Sequence, residues 1–138
     1  MLHVRAVVVW NGQLLLVQHH DPRDGVTFWM PPGGGAAAGE TPEDAARREM
    51  REETGVEVRI LRRAPVRSER DHLLFVAELA GSPEVTPEIE DCDCTIEIHT
   101  IGAAWHPVTD AVPLGPLELE HWSELAPLIR ERLRATSA

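Results

Sequence analysis

Between Thr41 and Gly55 the stretch "TPEDAARREMREETG" has both ends of a helix written into it. Thr41 suits the N-cap and Pro42 the first helical position, Glu43 and Asp44 favour the positive end of the helix dipole, and Gly55 stops the helix. The helix is predicted over residues 42–54. Immediately before it, the glycines and prolines of "PPGGGAAAGE" exclude regular structure and predict a long loop. The apolar side of the helix is thin, with Ala45, Ala46 and Met50 as its main contributors. A helix of that kind lies close against a sheet and leaves its polar side lining a cleft.

The rest of the chain supplies that sheet. The β-branched run Val4–Val9 reads as a strand, "NG" (Asn11, Gly12) as a two-residue hairpin turn, and Leu14–Gln18 as the returning strand. Further strands are predicted at Val56–Leu61, His72–Leu79 and Thr95–Trp105, the last interrupted at Gly102. Trp122, Leu125, Ile129 and Leu133 share one face of a closing amphipathic helix, which Pro127 makes begin or kink near Ser123. Neither repeat nor linker interrupts this order. Strands, helix, strands, helix in 138 residues predict one domain, 1–138, of α/β class: a mixed sheet packed between helices.

Composition excludes several chemistries. All 13 basic residues are Arg, so neither a Schiff-base lysine nor the lysine of a phosphate-binding loop is available. A net charge of -10 disfavours nonspecific binding to a nucleic-acid backbone, so phosphate handling here needs cations. Cys92 and Cys94 are too few and too close for a disulfide framework or a four-ligand zinc site, which suggests a reducing compartment. The N-terminus, with His3 and Arg5 inside a short apolar run, reads as neither signal peptide nor membrane span. The expectation is a cytoplasmic protein without a membrane or nucleic-acid partner. No serine lies in G-x-S-x-G and no histidine in H-E-x-x-H. "GGGAAA" fits a dinucleotide fingerprint only formally, because loop residues follow it before the helix opens.

The predicted helix places Glu49, Glu52 and Glu53 at i, i+3 and i+4, on one face. Two readings of that strip compete. In one, Arg47, Arg48 and Arg51 neutralise a solvated surface, Arg48 with Glu52 being the best-spaced pair. In the other, the strip lines the cleft and its hard oxygens hold Mg²⁺ or Mn²⁺, which bind one or two carboxylates together with substrate phosphates.

Read from Gly34, the chain gives five residues, Glu40, seven residues, then Arg48-Glu49-Met50-Arg51-Glu52-Glu53-Thr54-Gly55-Val56. This resembles the Nudix box of the Nudix hydrolase family at every defining position. Seven fixed Gly, Glu or Arg positions at average usage would coincide by chance on the order of once in 10⁸ to 10⁹ placements, so the match weighs heavily although the box covers only 23 residues. The resemblance implies a Nudix α/β/α sandwich and an Mg²⁺-dependent pyrophosphohydrolase that cleaves a nucleoside diphosphate linked to another moiety. Its substrate would be a small nucleotide, a (d)NTP or an NDP-sugar such as ADP-ribose. Carried over by position, Glu49, Glu52 and Glu53 would be metal ligands, and Glu40 would support the metal site from the loop. Arg48 would orient a glutamate of the box, while Gly34, Gly35 and Gly55 would permit the turns. Glu53 or Glu52 would take the proton from the attacking water, and downstream acids are eligible too: Glu97 first, then Glu90, with Asp91 and Asp93.

Phe28 and Trp29 could stack on a base or ribose, or be core. Arg5 and Arg70 face a phosphate or the solvent. A homodimer is left open. The rival to catalysis is a Nudix-fold module that senses a nucleotide without cleaving it. Such modules commonly lose box carboxylates, and this chain keeps them all.

Overall fold

The computed structural model describes residues 2–64, 72–86, 97–108 and 122–136. The chain opens with β1 (His3–Trp10) and β2 (Gln13–Asp21), joined where Asn11 (φ 51°) and Gly12 (φ 71°) both adopt the left-handed backbone that a two-residue hairpin turn requires. Next come β3 (Val26–Met30), β4 (Gly33–Gly35), α1 (Pro42–Thr54), β5 (Val58–Ala64), β6 (His72–Leu79), β7 (His99–Pro107) and α2 (Trp122–Thr136).

The seven strands form one mixed sheet in which β1 belongs to two neighbourhoods. Its first half pairs with β4 on one side, and residues 3–8 run parallel to β6 on the other, from His3 opposite His72 to Val8 opposite Ala77. Its end pairs with β2 through Val9–Leu14 and Trp10–Gln13. Beyond β6 lies β5, antiparallel, and β2 carries both β3 and β7, also antiparallel. Alternation along β1 then builds two cores. Val4, Ala6 and Val8 meet Ala45, Ala46 and Met50 of α1, whereas Val7 and Val9 meet Leu125, Leu128 and Ile129 of α2. The result is an α/β/α sandwich with α1 on one face and α2 on the other. Met50 alone, completely buried, is worth roughly 1.5–3 kcal/mol to that packing.

Two expectations need correcting. The glycine run is not all loop: Gly33, Gly34 and Gly35 pair with Arg5, Val4 and His3. A Cβ on Gly33 would stand 2.0 Å from the Val4 carbonyl oxygen, so the missing side chain, which lowers strand propensity, is what lets this strand close on its partner. The strand after the helix lies at Val58–Ala64, shifted past the start expected at Val56, because the backbone first follows the turn at Gly55. Of Thr95–Trp105, residues 95 and 96 lie outside the described residues, and β7 begins at His99. Pro127 sits in the second turn of α2. Among the described residues no helix is long and apolar enough to cross a membrane.

Candidate active site

The helix carrying the acidic strip is fixed at both ends. Thr41 Oγ1 accepts the Asp44 N–H at 3.1 Å, and Gly55, left-handed at φ 75°, donates its N–H to the Arg51 carbonyl at 2.9 Å. The competing accounts of the strip differ in where the arginines go. Arg47 pairs with Asp44 one turn back, and Arg51 reaches Glu57 at 2.8 Å beyond the helix end. Of the three helix arginines, only Arg48 turns to the strip, so the fully neutralised surface does not form.

Arg48 ties the loop to the helix. Its Nε and Nη2 grip both oxygens of Glu40 at 2.8 and 3.0 Å, and Nη2 also donates to the Gly35 carbonyl at 3.0 Å. Its Nη1 reaches Glu49 at 3.2 Å and Glu52 at 3.0 Å. Glu40 accepts the Ala37 N–H as well, at 3.0 Å. The Arg48 guanidinium, helped by that amide, holds the Glu40 carboxyl down at about 2. Glu40 raises the Arg48 pKa in return. With both oxygens engaged, Glu40 bears on the strip through Arg48.

The three box glutamates sit in different surroundings. Glu52 is half exposed. Glu49 is mostly buried, and desolvation, then the Glu53 charge, push its carboxyl above its usual value. It lies against Gly34, where a Cβ would stand 2.5 Å from its Cδ. Glu53 is the most constrained. Its Oε1 accepts the Gly33 N–H at 2.8 Å, and its Oε2 lies 3.4 Å from Thr100 Oγ1 and 3.6 Å from His19 Nε2. Neither His19 nor Thr100 is suggested by any motif, because each reaches Glu53 only through the strand pairing of β2 with β7.

Hard oxygens on one face, one carboxyl mostly buried and crowded by a second, fit a divalent cation shared with a substrate. Among the described residues no three His, Cys, Asp or Glu side chains are grouped so that they could hold a metal ion by themselves. An open strip of this sort suits Mg²⁺, which keeps several waters and shares its ligation with substrate phosphates.

The other predicted site residues are dispersed. Phe28, only 3% exposed, is core, edge-on to His19 at 5.7 Å between ring centroids. That burial leaves it no face for a base. Trp29 packs on the α2 side of the sheet, edge-on to His106 at 4.4 Å, away from the strip. Arg5 donates to the Pro31 carbonyl at 3.0 Å, latching the start of the glycine run. Glu97 is exposed just before β7. Arg70, Glu90, Asp91, Asp93, Cys92 and Cys94 lie outside the described residues.

A model of the NUDIX domain matches residues 1–131. An RNA pyrophosphohydrolase of Bartonella clarridgeiae is 42% identical over 74 residues, 53% of this chain and 41% of that protein. One of Bartonella bacilliformis is 46% identical over 48 residues, 35% of this chain and 28% of the relative. The chain thus spans less than half the length of these curated relatives. Among solved structures, a NUDIX hydrolase from Nitrosomonas europaea superposes with a TM-score of 0.70 at 21% identity, over 99% of this chain and 74% of that one. An ADP-ribose pyrophosphatase from Streptococcus suis gives 0.67 at 21% identity, over 95% and 90%. At such identities the likeness is one of fold.

Proposed function

The chain belongs to the NUDIX domain family, and from that membership we propose that it is an Mg²⁺-dependent pyrophosphohydrolase cleaving a nucleoside diphosphate linked to another moiety. The observation that carries this reading is the strip itself: Glu49, Glu52 and Glu53 share a face from which Arg47 and Arg51 have turned away. A solvated surface would gain by pairing there.

The three glutamates would hold the cation, Mg²⁺ or Mn²⁺. When bound, it supplies charge neutralisation at the phosphate oxygens and a lowered pKa for the attacking water. The chain's own residues do the rest. Arg48, gripped by Glu40, fixes the Glu49 and Glu52 carboxylates relative to the glycine strand. Gly34 lets Glu49 approach that strand. Glu53, held at Oε1 by the Gly33 N–H, is oriented to accept the water proton, with Glu52 and the exposed Glu97 as the other acids of the proposal.

A (d)NTP or an NDP-sugar such as ADP-ribose is the substrate class. The curated relatives' name supports a second reading, hydrolysis of a pyrophosphate bond carried by RNA, against which stands the net charge of -10. A nucleotide-sensing module without hydrolysis is disfavoured by the complete set of box carboxylates. The test is phosphate or pyrophosphate release in Mg²⁺ from a panel of dNTPs, ADP-ribose, sugar nucleotides, dinucleoside polyphosphates and a short 5′-triphosphorylated RNA. Cleavage of none of them would overturn the hydrolase reading.

A further inference from the structure

The pairing of β2 with β7 contains an irregularity that bears directly on Glu53. Val17 faces Ala103 and Gln18 faces Gly102, but His19 then faces Thr100, so Ile101 has no partner across the ladder. One extra residue in one strand is a β-bulge. Because strand side chains alternate with period two, it moves every residue on its N-terminal side to the opposite face. In unbroken register Ile101 would stand opposite His19, and Thr100 would stand opposite His20 on the far face. With the bulge, Thr100 and His19 share the face that looks toward α1.

Both then converge on one atom. Thr100 is buried, and its Oγ1 lies 3.4 Å from Glu53 Oε2. His19 Nε2, buried and without a hydrogen-bond partner, lies 3.6 Å from the same oxygen. The ring of Phe28 backs His19 edge-on, so the imidazole has little room to turn elsewhere. A shift of a few tenths of an ångström would complete an N–H···O bond there. The other oxygen, Oε1, is already held by Gly33 N–H from β4.

We propose that His19 and Thr100 are positioning residues for Glu53, aimed by the bulge at Ile101, which fix the lone pairs its carboxylate turns to the cleft. The inference rests on the hydrolase reading for its kinetic consequence and on geometry alone for its structural one. Neither residue touches the substrate in this scheme. Outer hydrogen-bond partners of a metal-binding carboxylate typically matter by 10–100-fold in metal affinity or activity, which sets the expected effect.

The test uses Thr100→Val, Thr100→Ser and His19→Leu, each alone and combined with Glu53→Gln. Two readouts are taken: Mn²⁺ affinity from the electron paramagnetic resonance of free Mn²⁺, and kcat and KM for ADP-ribose, or for whichever nucleotide of the panel is cleaved. Thr100→Val and His19→Leu should each weaken Mn²⁺ binding and lower kcat about 10- to 100-fold, with KM nearly unchanged and Thr100→Ser close to the parent. In the Glu53→Gln background neither should weaken Mn²⁺ binding further. Equal losses with and without Glu53 would assign both residues a merely structural role and overturn the proposal, as would parental Mn²⁺ affinity in Thr100→Val. Should His19→Leu not fold, the two Thr100 variants decide. If the parent cleaves no nucleotide, the hydrolase reading fails, while the Mn²⁺ comparison still judges the positioning on its own.

Discussion

Glu49 and Glu53 stand one turn apart on the same helix and are both mostly buried, yet one is crowded by its neighbour's charge and the other is held at a fixed orientation. Replacing either Glu52 or Glu53 by Gln removes a charge proposed to bind the cation without opening a cavity, so each variant should lose most activity at saturating Mg²⁺, by about 100-fold or more, with an unchanged far-UV circular dichroism spectrum. Near-parental turnover in both would sink the metal assignment. Gly34→Ala should be as damaging, since its Cβ and the Glu49 carboxyl cannot both keep their places. Glu40 titrates differently. Its carboxyl is depressed to about 2 in the folded chain, so its contribution is full above the usual carboxylate pKa and is lost as pH falls from there through about 2. In Glu40→Gln, thermal stability measured between about pH 4.5 and 2 should therefore fall less steeply than in the parent. The glutamates and Arg48 were legible in the sequence because helical spacing alone puts them together. His19 and Thr100 were not, because strands distant in sequence bring them to Glu53 through a register that no local pattern encodes. Phe28 and Trp29 could not be apportioned either, since burial of an aromatic at a strand end depends on what the sheet places behind it.

At the scale of elements, α1 was readable to the residue because its stop and start signals are local hydrogen-bonding chemistry. Thr41→Ala should cost about 1 kcal/mol of stability in urea unfolding, the usual worth of an N-cap hydroxyl. The glycine strand was unreadable for the opposite reason: glycine lowers strand propensity, and only the closeness it grants to Val4 and Arg5 makes pairing there favourable. The bulge in β7 was hinted at by Gly102 but not located. Deleting Ile101 should restore even pairing with β2 while leaving Thr100 opposite His19 on the face toward α1, so kcat should stay within about tenfold of the parent's. A folded deletion variant as impaired as Thr100→Val would count against this register argument.

The layered architecture followed from the order of strands and helices, since a thin-sided helix and a closing amphipathic helix each need a sheet face to cover. What the order could not convey is which strand stands at the centre, a matter of long-range pairing. For the molecule as a whole, binding of a cation to the folded strip alone should raise the melting temperature with Mg²⁺ concentration, and Glu49→Gln should blunt that rise while melting higher than the parent in EDTA. A Glu49→Gln variant less stable than the parent in EDTA would count against the crowded-anion account. The central strand also bears on how the chain reaches this state. β1 is separated in sequence from its parallel neighbour β6 by the helix and β5, and the two cores divide along that pairing. A chain that ends before His72 can zip the opening hairpin and set β4 beside residues 3–5, but it leaves the other edge of residues 3–8 unpaired, so the carboxylate helix has only part of its floor. Closing a loop of that size is a slow, non-local event, and it completes the floor on which the carboxylate helix packs.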